Sequence, residues 1–177
     1  IDHANAYGKV VELAKTVKAH QGLALLVGGC VRDFFFDQLS KDYDVEVYGI
    51  AADHLEALLA KIGKISAVGR AFGILKIRLE NGLDIDVSLP RLDSKIGIGH
   101  RGFEIKTDPN MSIGEAAQRR DFTINAISVD PLTGDVYDPF NGLDDIRSRT
   151  LRITDEERFA DDPLRVLRAV QFIGRLE

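Results

Sequence analysis

Twice in this 177-residue chain a short segment alternates apolar side chains with carboxylates. Between Asp42 and Val47, the side chains of Tyr43, Val45 and Val47 point one way and those of Asp42, Asp44 and Glu46 the other. Between Leu83 and Leu89 the same period of two sets Leu83, Ile85, Val87 and Leu89 against Asp84, Asp86 and Ser88. Such alternation belongs to strands with one packed and one open face. The chain must therefore build a sheet in which two acidic strand faces are available to lie side by side.

The rest of the pattern supplies what such a sheet packs against. Val10, Leu13 and Val17 recur at helical spacing and predict an amphipathic helix over Ala4 to His20, and Ala51 to Ile62 reads as a second helix. Leu23 to Val27 is a continuously apolar run suited to a buried strand, broken by Gly28-Gly29 and followed by a helical face of Val31, Phe34 and Phe35. Strands are expected near Ile65 to Val68, Gly73 to Leu79 and Leu83 to Leu89, with Asn81-Gly82 a hairpin turn between the last two. Arg91 to Phe103, with Gly97, Gly99 and Gly102, reads as a loop. Helix is expected through Ile113 to Asn125, a strand at Ala126 to Val129, a hairpin through Pro131 to Asp135, a compact turn at Asp138 to Gly142, a short helix, a strand around Thr150 to Ile153, and helix from Asp155 onward. The fold class is α+β.

Composition narrows the function classes. Hydrophobic residues make up 45% and charged residues 29%, and no apolar run approaches the ~20 residues that span a bilayer. The opening Ile1-Asp2-His3 carries no signal-peptide pattern, so a cytosolic protein is expected. The single Cys30 excludes an internal disulfide and a cysteine-built metal site. A net charge of −5 is unusual for a protein that grips nucleic acid, but arginines gather late in the chain and include Arg119, Arg120, Arg165 and Arg168. The chain begins without Met and stops at Glu177 inside a helical pattern, as a piece of a longer protein would.

Chemistry enters through spacing. Asp42 and Asp44, at i and i+2 on a strand, project about 6 to 7 Å apart, close enough to share hard divalent cations, and Asp86 or Asp84 can complete the set. Glu46 is a lesser candidate, one more residue pair along the strand. Gly28 and Gly29 let backbone N–H groups approach an anion, the following helix start adds a positive dipole end, and Arg32 adds a fork of donors for phosphate. Asp33 is expected to cap or to pair with an arginine. In Arg119-Arg120-Asp121-Phe122-Thr123-Ile124-Asn125, arginine suits a triphosphate, while Asp121 and Asn125 at i and i+4 suit ribose hydroxyls. In Asp161-Asp162-Pro163-Leu164-Arg165, proline opens a helix that Asp162 caps, and Asp162 with Arg165 can also present donors and acceptors to a base edge.

These motifs, with Asp138-Pro139-Phe140-Asn141-Gly142 between the last two, stand in an order that resembles the class II tRNA nucleotidyltransferases, the CCA-adding enzymes, and their bacterial poly(A) polymerase relatives, from about Leu23 to Glu177. The resemblance implies a polymerase-β-like head over residues 1–150, with a mixed, mainly antiparallel sheet flanked by helices, and the beginning of a helical neck over residues 151–177. It implies Mg2+ held by Asp42 and Asp44, with Asp86 as a third catalytic carboxylate. It assigns Gly28, Gly29, Arg32, Arg120 and Arg168 to nucleotide-phosphate or neck contacts, Asp121 and Asn125 to ribose, and Asp162 with Arg165 to selection of the incoming base. The implied activity is template-independent addition of CMP and AMP, from CTP and ATP, to the 3′ end of tRNA. The alternatives are a poly(A) polymerase or a relative adding only CC or only A, and, in another class, a catalytically incompetent nucleotide- or RNA-binding fragment. Two departures from the family pattern are Asp161, where glutamate is usual, and Gln171, where a further arginine is frequent.

Overall fold

The computed structural model describes residues 3–38, 40, 42–66, 74–79, 84–95, 103–160 and 163–176. Helix α1 (His3–Ala19) buries Ala6, Val10, Leu13, Ala14 and Val17, spaced three and four apart along one face. It stops where Gln21 adopts φ 64° and the backbone of Gly22 presses against Ile50 and Val17, a space that no Cβ would fit. Strand β1 (Leu23–Val27) then enters the middle of the sheet, covered on both faces as a continuously apolar run requires. Helix α2 (Gly29–Phe35) follows, then β2 (Tyr43–Tyr48), α3 (Ala52–Leu59), β3 (Lys64–Ser66), β4 (Ile74–Arg78) and β5 (Asp84–Ser88). Two later strands, β8 (Ser128–Val129) and β9 (Val136–Tyr137), complete a seven-stranded sheet of order β3-β4-β5-β2-β1-β8-β9.

Every neighbouring pair is antiparallel except β2 and β5, which run parallel. The fold is thus the expected α+β arrangement with a mixed, mainly antiparallel sheet. One face is the core, where Ala24, Leu26, Val45, Val47, Ile77, Ile85 and Val87 pack with α1 and α3. On the other face Leu25, Val27 and Tyr48 pack with Met111 and Ala116. Among the described residues no helix is long and apolar enough to cross a membrane.

Three local expectations differ from the structure. The ends of the glycine-rich loop pair as β6 (Arg91–Lys95) and β7 (Phe103–Thr107), a separate antiparallel ribbon; the glycines mask the alternation of Phe103, Ile105 and Thr107 with Glu104 and Lys106. The helix expected through Asn125 ends early: α4 (Ile113–Gln118) starts on a reciprocal Ser112–Glu115 capping box, and Phe122 then turns extended and becomes fully buried before a 3-10 turn at Thr123–Asn125. The strand expected around Thr150 to Ile153 is a single bridge between Ile153 and Phe122. Helices α5 (Gly142–Arg147), α6 (Glu156–Ala160) and α7 (Pro163–Leu176) finish the chain. The Asn81-Gly82 turn, the centre of the loop at 96–102, and Asp161 with Asp162 lie outside the described residues.

Candidate functional site

Parallel pairing of β2 with β5 sets Asp44 opposite Asp86 and Glu46 opposite Ser88. Because Val45, Val47, Ile85 and Val87 turn into the core, these polar side chains share the other face. They border a cavity of about 420 Å³ whose remaining wall carries Arg91 from the start of β6, Arg119 and Arg120 from the end of α4, and Arg165 and Arg168 from α7. Three carboxylates thus face five guanidinium groups across one opening. Such a division of charge suits a ligand that is itself anionic and brings cations with it.

Asp44 is the strained member of this set. Burial pushes its carboxyl above the ordinary value; the Arg120 guanidinium and Lys76 pull it back, while Asp86 and Asp42 push it further. Lys76 on β4, paired directly with Asp86 on β5, holds Asp86 Oδ1 at 2.9 Å, and Arg78 takes Asp84 in a two-pronged pair of 2.8 Å contacts. Asp84 is therefore committed to β4. Asp42 is exposed at the bend just ahead of β2 and does not line the cavity. Among the described residues no three His, Cys, Asp or Glu side chains form a ready-made metal cage; of the cavity's three carboxylates, Asp44 and Asp86 stand opposite each other on paired strands.

The glycine turn contributes closeness. Gly28 has φ 70°, and a Cβ there would lie 3.2 Å from Arg120 Nη1 and 3.5 Å from Asp44 Oδ2. Glycine at this position therefore admits both the backbone conformation and the arginine. Gly29 opens α2 beside the Arg32 guanidinium.

Arg32 itself is buried behind the cavity rather than along it. Its Nε and Nη2 donate to Asp33 Oδ1 at 2.9 and 2.5 Å, its Nη1 donates to Asn125 Oδ1 at 2.9 Å, and its plane lies 4.9 Å over the Phe172 ring. Asn125 Nδ2 in turn donates to Asp121 Oδ1 at 3.0 Å, and Arg168 Nη2 reaches Asp121 Oδ2 at 2.9 Å. Asp121 and Asn125 do meet, as their spacing suggested, but across a turn and a 3-10 segment rather than along one helix. The relay Asp33–Arg32–Asn125–Asp121–Arg168 connects α2 to α7. Arg165 Nη2 adds a 3.0 Å bond to the Arg119 carbonyl, so α7 is fastened to the end of α4 as well.

Of the residues singled out from sequence, the structure brings Asp44, Asp86, Arg120, Arg165 and Arg168 around one cavity. Glu46, the lesser candidate, lines it too, and the structure adds Arg91, Lys76 and Ser88 to the neighbourhood. Parity along β2 and β5 pointed to Glu46 and Ser88; nothing local pointed to Arg91 or Lys76, which arrive through strand pairing.

The sequence profile of the poly A polymerase head domain matches residues 24–152, well over half the chain. The chain belongs to that family. The matched segment of this head-domain protein runs from β1 to Arg152 and so contains both acidic strands and the Arg119-Arg120 pair. Over 151 residues it is 42% identical to the multifunctional CCA protein of Xylella fastidiosa strain 9a5c, covering 85% of this chain and 34% of that protein. Its fold is similar to the Bacillus stearothermophilus CCA-adding enzyme solved in complex with CTP, with a TM-score of 0.76 and 29% identity over 94% of this chain and 38% of that one. It is also similar to the Thermotoga maritima CCA-adding enzyme complexed with tRNA, with a TM-score of 0.73 and 26% identity over 97% of this chain and 38% of that one. The chain thus spans about a third of the length of the curated relatives it matches.

Proposed function

We propose that this chain is the catalytic head, residues 1–150, and the first part of a helical neck, residues 151–177, of a cytoplasmic template-independent nucleotidyltransferase that adds CMP and AMP to the 3′ end of tRNA. One observation carries the reading: Asp44 and Asp86 face, across a single cavity, an arc of arginines suited to a triphosphate. The similarity to CCA-adding enzymes that bind CTP and tRNA supports this choice of substrates.

Mg2+ fits the residues present. The donors are hard oxygens, Asp44 is a half-buried carboxylate crowded by Asp86 and Asp42, and one or two protein carboxylates are what Mg2+ takes when substrate phosphates complete its shell. Asp44 would hold the ion with Asp86 opposite it on β5, and Asp42, exposed at the bend just ahead of β2 but close enough to act on the Asp44 carboxyl, would add a further oxygen donor. When bound, Mg2+ supplies charge for a reacting triphosphate and acidifies the attacking hydroxyl.

The chain's own groups do the rest. Arg120 and Arg168 bind the nucleotide's phosphates and fix its α-phosphorus over the carboxylates. Asp86 accepts the proton of the terminal 3′-hydroxyl as the O3′–Pα bond forms and the bond to the pyrophosphate oxygen breaks. Asp121 and Asn125 read the ribose, with Arg32 fixing their orientation from behind; Gly28 and Gly29 provide close backbone approach. Asp162 and Arg165 select the base.

The decisive test uses the full-length protein with tRNAs ending before CCA, after C and after CC, each given labelled CTP or ATP. Three additions that stop at CCA support the reading. Long adenosine tails on unrelated RNA, or addition limited to CC or to A, replace it with a neighbouring specificity. No incorporation by the folded protein leaves a nucleotide-binding role.

A further inference from the structure

Glu46 is a buried carboxylate on the cavity face, next along β2 from Asp44. Buried charge is retained only where partners compensate it. Here the Tyr48 hydroxyl donates to Glu46 Oε1 at 2.6 Å, and Arg120 Nη2 stands 3.5 Å from Glu46 Oε2. The opposite side of the same guanidinium, Nη1, lies against Gly28, whose missing side chain leaves the space beside Asp44 Oδ2 open. Asp44, Glu46 and Tyr48 thus form a ladder on one strand face, and Arg120 is wedged across it.

We infer that Glu46, braced by Tyr48, is a positioning residue that holds the Arg120 guanidinium in register with Asp44 for nucleotidyl transfer; this rests on the transferase reading given above. An arginine side chain left to itself samples many rotamers, and ordering it as the transition state forms costs free energy. Glu46 orders it beforehand by gripping one nitrogen, and Arg120 keeps enough exposure at the cavity wall to meet a phosphate. The 3.5 Å contact is an ion pair rather than a short hydrogen bond, which leaves that nitrogen able to donate to a phosphate. Glutamine keeps the shape of this side chain and removes its charge, so Glu46→Gln isolates the role. Tyr48→Phe removes only the brace.

The experiment measures AMP addition by the full-length protein to tRNA ending in CC, for the wild type, Glu46→Gln, Tyr48→Phe, Arg120→Gln and the Glu46→Gln/Arg120→Gln double variant. Misplacement of a transition-state donor predicts a kcat loss of about 10- to 100-fold in Glu46→Gln, a smaller loss in Tyr48→Phe, and a KM for ATP within about twofold of wild type. Introducing Glu46→Gln into Arg120→Gln costs no further activity, because the two act through one group. Melting temperatures are recorded for every variant, and Tyr48→Phe carries the test if Glu46→Gln does not fold. Wild-type kcat in Glu46→Gln, or losses that multiply in the double variant, overturns the positioning role while leaving the transferase reading intact. A wild-type protein that transfers nothing overturns both.

Discussion

Asp44 sits where burial and two neighbouring carboxylates act against its own charge, and Arg120 and Lys76 only partly relieve it. Its pKa is therefore higher in the folded chain than in the unfolded one, and the folded state binds the extra proton. For a carboxylate shifted in this direction the ionised form costs stability above the shifted range, and that cost disappears as pH falls through it. Asp44→Asn is accordingly expected to raise the melting temperature in metal-free buffer at about pH 7, with the gap closing on acidification; a lower melting temperature at neutral pH would contradict this account. The same substitution should reduce transfer by at least about 1,000-fold, roughly 4 kcal/mol in the barrier. Added Mg2+ should raise the wild-type melting temperature and leave Asp44→Asn unmoved, since only a ligand bound to the folded state stabilises it.

At the scale of elements, the turn into α5 shows how tightly the later motifs are fitted. Asp138 accepts from the backbone N–H groups of Gly142 and Leu143 at 2.7 and 2.9 Å, and Asn141 adopts φ 57° to make that possible. A Cβ on Gly142 would collide with the Thr123 carbonyl and Ile127. Overpacking against backbone predicts that Gly142→Ala lowers stability by about 1 to 3 kcal/mol, read as a shifted denaturant midpoint. The structure thereby ties this turn to the Arg119-to-Asn125 segment. Thr123 also donates to buried Asp145 at 2.6 Å, so α5 and the 3-10 turn form one piece. Elements with a strong period were legible from sequence: α1, β1, β2, α3 and β5 appear within a few residues of their expected limits, because burial on one face writes itself into the spacing. The segment at Ile113 to Asn125 was misjudged in shape, because Phe122 leaves the helix to fill the core, a tertiary preference that local spacing does not carry. Asp44 was legible from alternation, but Lys76 was not, since its role depends on which strand lies beside β5.

On the scale of the whole molecule, α7 closes the site from a distance in sequence. Phe172 packs its ring 5.5 Å from Phe122 and under the Arg32 guanidinium, while Arg165 and Arg168 on the same helix reach the cavity. Phe172→Ala should therefore cost about 3 to 4 kcal/mol in global stability or, if α7 detaches alone, make that helix an early site of protease cleavage. Either result should be accompanied by weaker nucleotide binding, measured by titration; full affinity after Phe172→Ala would separate the helix from the site. The parallel pairing of β2 with β5 has its own consequence for the life of the chain. A ribosome that has released residues through Tyr48 has already delivered the glycine turn and the first acidic strand, yet Asp86 meets Asp44 only after a crossover through α3, β3 and β4 has been made. A slip of one residue in that crossover would turn Asp86 into the core. The cavity therefore cannot mature in instalments: it is assembled late, by a non-local closure, and a growing chain carries Asp44 for some time before Asp86 comes to face it.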